Sequence, residues 1–124
     1  MKHQVIIALG TNVEKAKILQ AITTLQTLIS DIKVSEIIPT LPLGSKFQHT
    51  QFYNALALGT TTKAADEMTM CLKDIERACG DTSSLRQSGH VVLDLDLMKY
   101  DNKKFHTSDW DREYIKELMR KTCI

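Results

Sequence analysis

The sequence predicts an α+β fold in which an antiparallel sheet carries two helices on one face. The chain has 124 residues, enough for one domain with a single core. Short β-branched runs alternate with longer segments whose apolar residues recur at helical spacing. In chain order these segments give β-α-β-β-α-β and an extra C-terminal helix, the order of the ferredoxin-like, split βαβ arrangement. We therefore expect residues 1–124 to form a single domain.

The first third of the chain supplies a strand, a helix and a second strand. Residues 4–9 form a largely apolar, β-branched run that stops at Gly10, as in a buried central strand. Asn12 is placed to cap the helix that follows. The apolar positions of that helix are Ile18, Ile22, Leu25 and Ile29. Residues 31–38 alternate weakly before a proline, which predicts the second strand.

The middle of the chain begins with a loop. Residues 39–51 contain two prolines and a glycine, and loops of this length are usually functional or disordered. Residues 52–60 then resume strand character. Thr61 or Thr62 can cap a second helix, which Gly80 ends. The apolar stripe of this helix comprises Met68, Cys71, Leu72, Ile75 and Cys79.

The last third contains a polar loop (residues 81–90), a strand (91–98), a turn and an amphipathic helix from about Trp110 to Arg120. The three cysteines are Cys71, Cys79 and Cys123. The first two lie on one predicted helix, roughly 12 Å apart at helical rise and too far for a disulfide. None belongs to a CxxC motif, so we interpret all three as small apolar residues and not as zinc ligands.

The composition is that of an ordinary globular protein. Hydrophobic residues make up 43% and charged residues 25% of the chain, and the net charge is +1. Such mixed charge favours neither nucleic acid nor an acidic membrane surface. No apolar run has the length of a membrane span, and the N-terminus lacks a signal-peptide pattern. We therefore expect a cytoplasmic protein, a monomer or weak homodimer, with no nucleic-acid or membrane partner.

Two acids interrupt the most apolar run of the C-terminal half, VVLDLDLM at residues 91–98. Alternate residues of a strand face the same side, which points Leu93, Leu95 and Leu97 toward the helices. The opposite, open face would carry Val92, Asp94, Asp96 and Met98. Two carboxylates about 6.5–7 Å apart at their Cα atoms can hold one or two hard cations such as Mg²⁺. On the pattern alone, acids that merely keep an exposed face soluble are more common.

The same open face is expected to carry Phe52 and Asn54 from the third strand. An amide beside an aromatic ring suits a flat heterocycle, which the amide bonds and the ring stacks against. In isolation, a cross-strand aromatic contact and a turn-seeking Asn are the commoner explanation. Glu76, at the end of the second helix, is expected to face solvent unless a basic group docks there. The four histidines show no metal or triad spacing.

Five segments together resemble one enzyme family. They are, in order, IIALGTN, PTLPLG, FYNALALGT, IERACG and LDLDLM. Their order and spacing resemble the 6-hydroxymethyl-7,8-dihydropterin pyrophosphokinases of folate biosynthesis, of which the chain looks like a short, divergent form. The resemblance implies the ferredoxin-like fold and transfer of the terminal diphosphate of ATP to the hydroxymethyl group of the pterin.

The resemblance also implies which residues bind the pterin. They are Thr40, Leu43, Phe52, Asn54 and Tyr114. Asn54 would read the pterin amide, and Phe52 and Tyr114 would stack on the two ring faces. The other two would line the pocket, largely through backbone groups.

The metal and nucleotide residues follow from the same resemblance. Asp94 and Asp96 would bind two Mg²⁺ ions, which bridge and neutralise the migrating phosphates. Glu76 and Leu97 would lie near the nucleotide. Mg²⁺ is thus the implied cofactor, ATP the co-substrate, and small molecules the expected partners.

The phosphate-binding loop departs from the family pattern. Family members carry several arginines and a tryptophan there, whereas residues 81–90 keep only Arg86. The departing positions are Asp81, Ser83, Ser88 and Val91. Loss of one clamp on developing phosphoryl charge costs roughly 3–4 kcal/mol. We therefore expect a slow enzyme whose catalytic cations are Arg86 and Arg112.

Two interpretations from other classes stay open. A catalytically degenerate relative would bind a pterin or a nucleotide without efficient transfer. A ferredoxin-like RNA-binding domain is disfavoured, since the open face carries Asp94 and Asp96 and no basic–aromatic alternation.

Overall fold

The computed structural model describes residues 1–40 and 51–122. The strands are β1 (His3–Thr11), β2 (Ser30–Val34), β3 (Ile38–Thr40), β4 (Phe52–Thr61), β5 (Asp94–Tyr100) and β6 (Lys103–Lys104). The helices are α1 (Lys15–Leu25), α2 (Ala65–Ala78), α3 (Ser83–Gln87) and α4 (Glu113–Thr122), with a 3₁₀ turn at Thr107–Asp111. In this described part of the chain, no helix is both long and apolar enough to cross a bilayer.

All six strands belong to one antiparallel sheet. Its order is β2-β4-β1-β5-β6, and β3 pairs with β4 beside this path. The central strands β1 and β4 pair along their whole length, from His3 opposite Thr61 to Thr11 opposite Tyr53. β5 lies on the other side of β1. This topology confirms the predicted α+β fold with an antiparallel sheet and an extra C-terminal helix.

α1 and α2 cover one face of the sheet. Alternate residues of the strands point into this layer, among them Ile7 and Leu9 of β1 and Leu95 of β5. The helices contribute positions that helical spacing predicted: Ile18, Leu25, Met68, Leu72 and Ile75. Burial of each such large side chain contributes about 1.5–3 kcal/mol, so this layer is the main source of stability.

α4 covers part of the opposite face. Ile115 and Leu118 of this helix pack with Leu56 of β4 and Met98 of β5 in a second buried cluster. The expectation that Val92 and Met98 line an open face is therefore wrong. Met98 is 1% exposed within the α4 cluster, and Val92 is 7% exposed just before β5. The C-terminal helix thus closes much of the face that sequence alternation left open.

The second predicted strand is two strands in the structure. β2 ends at Val34, β3 begins at Ile38, and both pair with β4. Ser35 spans the break, since its N–H donates to Leu56 O and its Oγ accepts from Leu56 N, each at 2.8 Å. The chain through Thr40, predicted as loop, belongs to β3.

α1 does not begin with the predicted cap. Its N-cap is Glu14, and the side chain of Asn12 bonds elsewhere: Nδ2 donates to Gly89 O and Oδ1 accepts from Val91 N, each at 2.7 Å. The same amide that could cap a helix therefore binds the loop ahead of β5 through two hydrogen bonds, and we call this contact the clasp. α1 also ends before Ile29, which is buried all the same.

The N-cap of α2 is Ala64, and not either predicted threonine. The Ala64 N–H donates to Glu67 Oε1 at 3.1 Å, while Thr61 Oγ1 accepts from Lys63 N at 3.2 Å. The predicted end is confirmed. Gly80 follows the helix with φ of 99°, a left-handed conformation that glycine adopts without strain.

Two segments near the C-terminus differ in detail from the prediction. The polar loop contains α3, whose N-cap Thr82 accepts from Leu85 N at 3.2 Å. The C-terminal helix is preceded by the 3₁₀ turn, which carries Trp110. Trp110 Nε1 donates to Met98 O at 3.3 Å and to Phe105 O at 3.1 Å. These bonds fasten the turn to the end of the sheet.

The described cysteines are small apolar residues, as interpreted from the sequence. Cys79 is buried and Cys71 half-buried, both with free thiols. Burial raises the pKa of the Cys79 thiol, which keeps it protonated. Cys123 lies outside the described residues.

Candidate active site

A glycine of β1 separates an amide from a carboxylate on the sheet face that carries α4. Asn54 of β4, Gly10 of β1 and Asp94 of β5 are cross-strand partners in one row, and in the next row Ala8 pairs with Asp96. Directly paired residues face the same side, and adjacent strands lie about 4.8 Å apart, so the Cα atoms of Asn54 and Asp94 stand about 10 Å apart. Gly10 and Ala8 put little side chain between these groups, and we call this strip of the sheet the trough.

Asp94 and Asp96 lie on one face of β5, as alternation predicts. Their side chains are 38% and 26% exposed. The pKa of Asp96 is raised to about 7. Burial is the largest cause, and the charge of Asp94 and a hydrogen bond with it also raise this pKa. His106 Nε2, 3.7 Å from Asp96 Oδ1, lowers it. With this raised pKa, Asp96 binds a proton more readily than an isolated aspartate does, and a divalent cation can take the place of that proton.

Glu76 of α2 is buried against β5 and does not face solvent, so the exception allowed in the sequence analysis, a basic group beside it, is the one that applies. It is 5% exposed, and its Oε2 accepts from Leu95 N at 2.8 Å. The basic partners are present: Lys73 Nζ and Arg86 Nη2 lie 3.7 and 3.8 Å from its Oε1. Burial raises the pKa of Glu76, while the Leu95 N–H and the Lys73 charge lower it. Its place four residues after Leu72, on the apolar stripe, was the available sequence signal.

Arg86 lies among acids. Its Nε donates to Asp81 Oδ2 at 2.6 Å, and its Nη2 donates to Leu93 O at 3.0 Å. The same Nη2 lies 3.4 Å from Asp94 Oδ1. Arg86 therefore stands next to Asp94, but protein groups compete with any phosphate for its donors.

Asp81 is the site residue that the sequence did not reveal. Its Oδ1 accepts from Val92 N at 3.0 Å and from Leu93 N at 3.2 Å, next to the bond between its Oδ2 and Arg86. Its side chain is only 7% exposed. The available signal was weak: an acid five residues before the single arginine of the loop.

Thr40 and Asn54, both implied by the resemblance to bind the pterin, lie side by side. Asn54 Nδ2 donates to Thr40 Oγ1, which fixes which edge of the amide faces the trough. Phe52, the register partner of Thr40, is half-buried. Leu43 lies outside the described residues.

Arg112 and Tyr114 contact each other at the start of α4. Arg112 Nη1 donates to Tyr114 OH at 3.1 Å, and its guanidinium lies 4.5 Å from the ring centre. Burial raises the pKa of Tyr114 and Arg112 lowers it, whereas the charges of Asp94 and Asp96 raise it. The phenol is thus within electrostatic reach of the carboxylate pair.

A cavity of about 230 Å³ lies between α2 and β5. Residues in its wall include Lys73, Asp96, Leu97, Phe105 and His106. It brings Leu97, implied to lie near the nucleotide, next to one member of the carboxylate pair. His106 was not predicted, because its approach to Asp96 depends on a left-handed backbone conformation with φ of 51°. A larger cleft of about 680 Å³ lies elsewhere, at the end of the sheet where α1 leads into β2.

A comparison over the whole chain identifies the family. The sequence model of the 7,8-dihydro-6-hydroxymethylpterin-pyrophosphokinase (HPPK) family matches residues 6–122. The chain belongs to the HPPK family. This membership confirms the resemblance of the five segments and supports a pterin pyrophosphokinase role in folate synthesis. Among curated proteins, none matches this chain.

The donor set of this HPPK family member fits magnesium. Asp94 and Asp96 are hard oxygen donors on one strand face, and their side chains are partly exposed. Mg²⁺ commonly combines one or two carboxylates with water and substrate phosphates. Across residues 1–40 and 51–122, no group of three or more His, Cys, Asp or Glu side chains could hold a metal ion. The pair therefore suits a metal that is shared with ligand phosphates.

Proposed function

We propose that this HPPK family member transfers the terminal diphosphate of ATP to the hydroxymethyl group of 6-hydroxymethyl-7,8-dihydropterin. The row Asn54–Gly10–Asp94 carries the proposal, because the Cα atoms of Asn54 and Asp94 stand about 10 Å apart, on one face of the sheet, with only glycine between them. A flat bicyclic ring with one short arm suits this span. Its ring edge would bond to the amide, and its arm would point toward the carboxylates.

The pterin side of the trough would use Thr40, Leu43, Phe52, Asn54 and Tyr114. Asn54 offers both a donor and an acceptor to the ring edge, and its bond to Thr40 holds it in one orientation. Phe52 and Tyr114 would supply the two stacking faces.

The nucleotide would lie across β5. Its base would enter the cavity beside Leu97, and its phosphates would lie over Asp94 and Asp96. Glu76 supports this edge from behind through its bond to the Leu95 N–H. Asp94 and Asp96 would hold two Mg²⁺ ions, which would supply positive charge to the phosphates.

The reaction needs no covalent enzyme intermediate. The pterin hydroxyl oxygen would attack the β-phosphorus and lose its proton to solvent. The bond between the β-phosphorus and the oxygen that bridges it to the α-phosphorus would break, and AMP would leave. Arg112 and Arg86 would meet the developing charge. We expect slow transfer, because Arg86 is also bonded to Asp81 and to Leu93 O.

A second candidate is a protein that binds a pterin or a nucleotide without efficient transfer. The observation that favours it is the loop after α2, whose single arginine is bonded to the buried Asp81 carboxylate. Such a loop adds little positive charge for phosphates.

The deciding experiment is incubation with ATP, Mg²⁺ and the pterin, followed by chromatography of the nucleotides. AMP formed together with pterin diphosphate supports transfer, whereas ADP indicates simple hydrolysis. Asp94→Ala and Asp96→Ala should abolish AMP formation with a native circular dichroism spectrum. Asp74→Asn, on the exposed surface of α2, is the matched control and should keep the native rate. Absence of AMP from native protein that still binds the pterin would favour the second candidate.

A further inference from the structure

The start of β5 is fixed by one buried carboxylate, that of Asp81. Its Oδ1 accepts the two consecutive N–H groups of Val92 and Leu93, at 3.0 and 3.2 Å. Its Oδ2 accepts from Arg86 Nε at 2.6 Å. A buried carboxylate is tolerated when its oxygens are bonded in this way. Asp81 thus joins the strand that carries Asp94 to the arginine beside it.

Arg86 makes shorter hydrogen bonds to Asp81 and Leu93 than to Asp94. Its Nε bonds to Asp81, and its Nη2 donates to Leu93 O at 3.0 Å. The contacts of Nη2 with Asp94 Oδ1 and Glu76 Oε1 are longer, at 3.4 and 3.8 Å. Charge-assisted hydrogen bonds are strongest when short, so Asp81 binds the guanidinium more tightly than Asp94 does.

We infer that Asp81 is a positioning residue that prevents Arg86 from pairing closely with Asp94. The inference rests on the proposed function, because it takes Asp94 as a magnesium ligand. A guanidinium paired closely with Asp94 would compete with the cation for the carboxylate oxygens. Held by Asp81, Arg86 stays 3.4 Å from Asp94 Oδ1 and leaves that carboxylate available to the metal.

A contact between Arg86 and the phosphates of bound ATP in the ground state, before transfer begins, would give the opposite behaviour. In that case Asp81 would withhold the arginine from the phosphates, and neutralising Asp81 should improve binding of the metal–nucleotide complex. The two roles therefore predict effects of opposite sign for one substitution.

Two substitutions separate these roles. Asp81→Asn keeps Oδ1 as an acceptor for the backbone N–H groups and removes the charge that holds Arg86. Arg86→Gln removes the competing guanidinium. The matched control is an ion pair on the surface of α2, Asp74 with Arg77, in which the same two changes are made. Its atoms are 3.1 Å apart, and its side chains are 74% and 71% exposed.

The probe is Mn²⁺ with α,β-methylene-ATP, and free Mn²⁺ is measured by electron paramagnetic resonance. Asp81→Asn should weaken Mn²⁺ binding about three- to fivefold, the effect of one strengthened, half-exposed ion pair. Adding Arg86→Gln should return the affinity to within about twofold of native, because the competitor is gone. The control variants should bind as the native protein does. A residue that served only the fold would not be rescued by a second substitution.

Unchanged or tighter Mn²⁺ binding by folded Asp81→Asn would overturn the inference, as would a double variant that binds more weakly than Asp81→Asn. If thermal unfolding shows that Asp81→Asn is not folded, Arg86→Gln decides alone. Equal or tighter Mn²⁺ binding by Arg86→Gln then supports the inference that Asp81 holds Arg86 away from Asp94, and weaker binding overturns it.

Failure of the proposed function has a different signature. The native protein could form no AMP and still lose Mn²⁺ binding in Asp94→Ala, with the expected pattern in the Asp81 and Arg86 variants. That result would support the positioning role of Asp81 and refute the proposed reaction. Mn²⁺ binding that survives Asp94→Ala would refute both the assignment of Asp94 as a metal ligand and the positioning role of Asp81.

Discussion

Gly10 stands so close to Asn54 that a Cβ at position 10 would lie 2.9 Å from Asn54 Oδ1. The other end of that amide is bonded to Thr40, so the side chain is not at liberty to turn away. Gly10 lies within the regular register of β1. A glycine is needed at this position because a Cβ would collide with Asn54, and not because the backbone adopts an unusual conformation.

Gly10→Ala should therefore weaken pterin binding by about 1–3 kcal/mol, because a displaced amide leaves ring donors and acceptors unpaired. ATP affinity should stay within about twofold of native. Calorimetry with each ligand measures both effects. Asn54→Ala should show the same selective loss, and the double variant should lose no more than the larger single loss. Equal losses for both ligands would point to a distorted sheet.

The stability of the metal-free protein should depend on Asp96. Burial, followed by the charge of Asp94, raises its pKa from an ordinary 3.8 to about 7 in the folded state. A raised folded pKa favours the neutral carboxyl, so its contribution to stability is complete below about pH 4 and is lost as the pH rises through about 7. Asp96→Asn should therefore be more stable than native by about 0.5–2 kcal/mol near pH 8, with little difference near pH 4.

Urea unfolding in EDTA at both pH values measures this difference. Asp74→Asn, which alters an exposed carboxylate, should show no comparable gain at the higher pH. An Asp96→Asn difference that is the same at both pH values would mean that the carboxyl keeps its ordinary pKa.

Asn12 allows a clasp to be distinguished from a helix cap. Aspartate caps helices as well as asparagine does, but its carboxylate cannot donate to Gly89 O as the Asn12 Nδ2 does. Asn12→Asp should therefore destabilise the protein by about 1–3 kcal/mol in urea unfolding. Amide exchange at Val91 should accelerate more than exchange in α1. Glu14→Gln, at the true N-cap, should stay within about 0.5 kcal/mol of native. Native stability in Asn12→Asp would support the cap.

Arg112 should act mainly in the transition state of the proposed transfer. Arg112→Ala should lower kcat for AMP formation by about 10²-fold and raise KM for ATP much less, because charge on the phosphoryl group develops as the reaction proceeds. Steady-state kinetics provides both constants. Arg120→Ala, an exposed arginine of α4, should match native. A raised KM with native kcat would assign Arg112 to ground-state binding alone.

Features that depend on local geometry could be predicted from the sequence. Side-chain direction alternates along any strand, so Asp94 and Asp96 had to share a face once β5 was recognised. In the structure they are close enough for one to raise the pKa of the other. Helical spacing likewise predicted Met68 and Leu72 as core residues, and both are buried.

Features that depend on distant partners could not be predicted. The local signal of Asn12 is the same for a cap and for a clasp, and the choice was made by a loop 77 residues away. Glu76 is buried because an N–H of β5 meets its carboxylate. Asp81 looked like a lost phosphate contact, since only the folded loop turns it toward the start of β5.

Trp110 is the single tryptophan of the chain. Its indole N–H bonds to Met98 O and Phe105 O, and Lys104 Nζ lies 4.7 Å from its ring centre. Because indole emission responds to polarity and nearby charge, the protein carries its own optical probe at the seam between the last strands and the C-terminal segment. Intrinsic fluorescence in a stopped-flow instrument can therefore follow the undocking of that segment without any label, on a channel separate from the helix signal of circular dichroism.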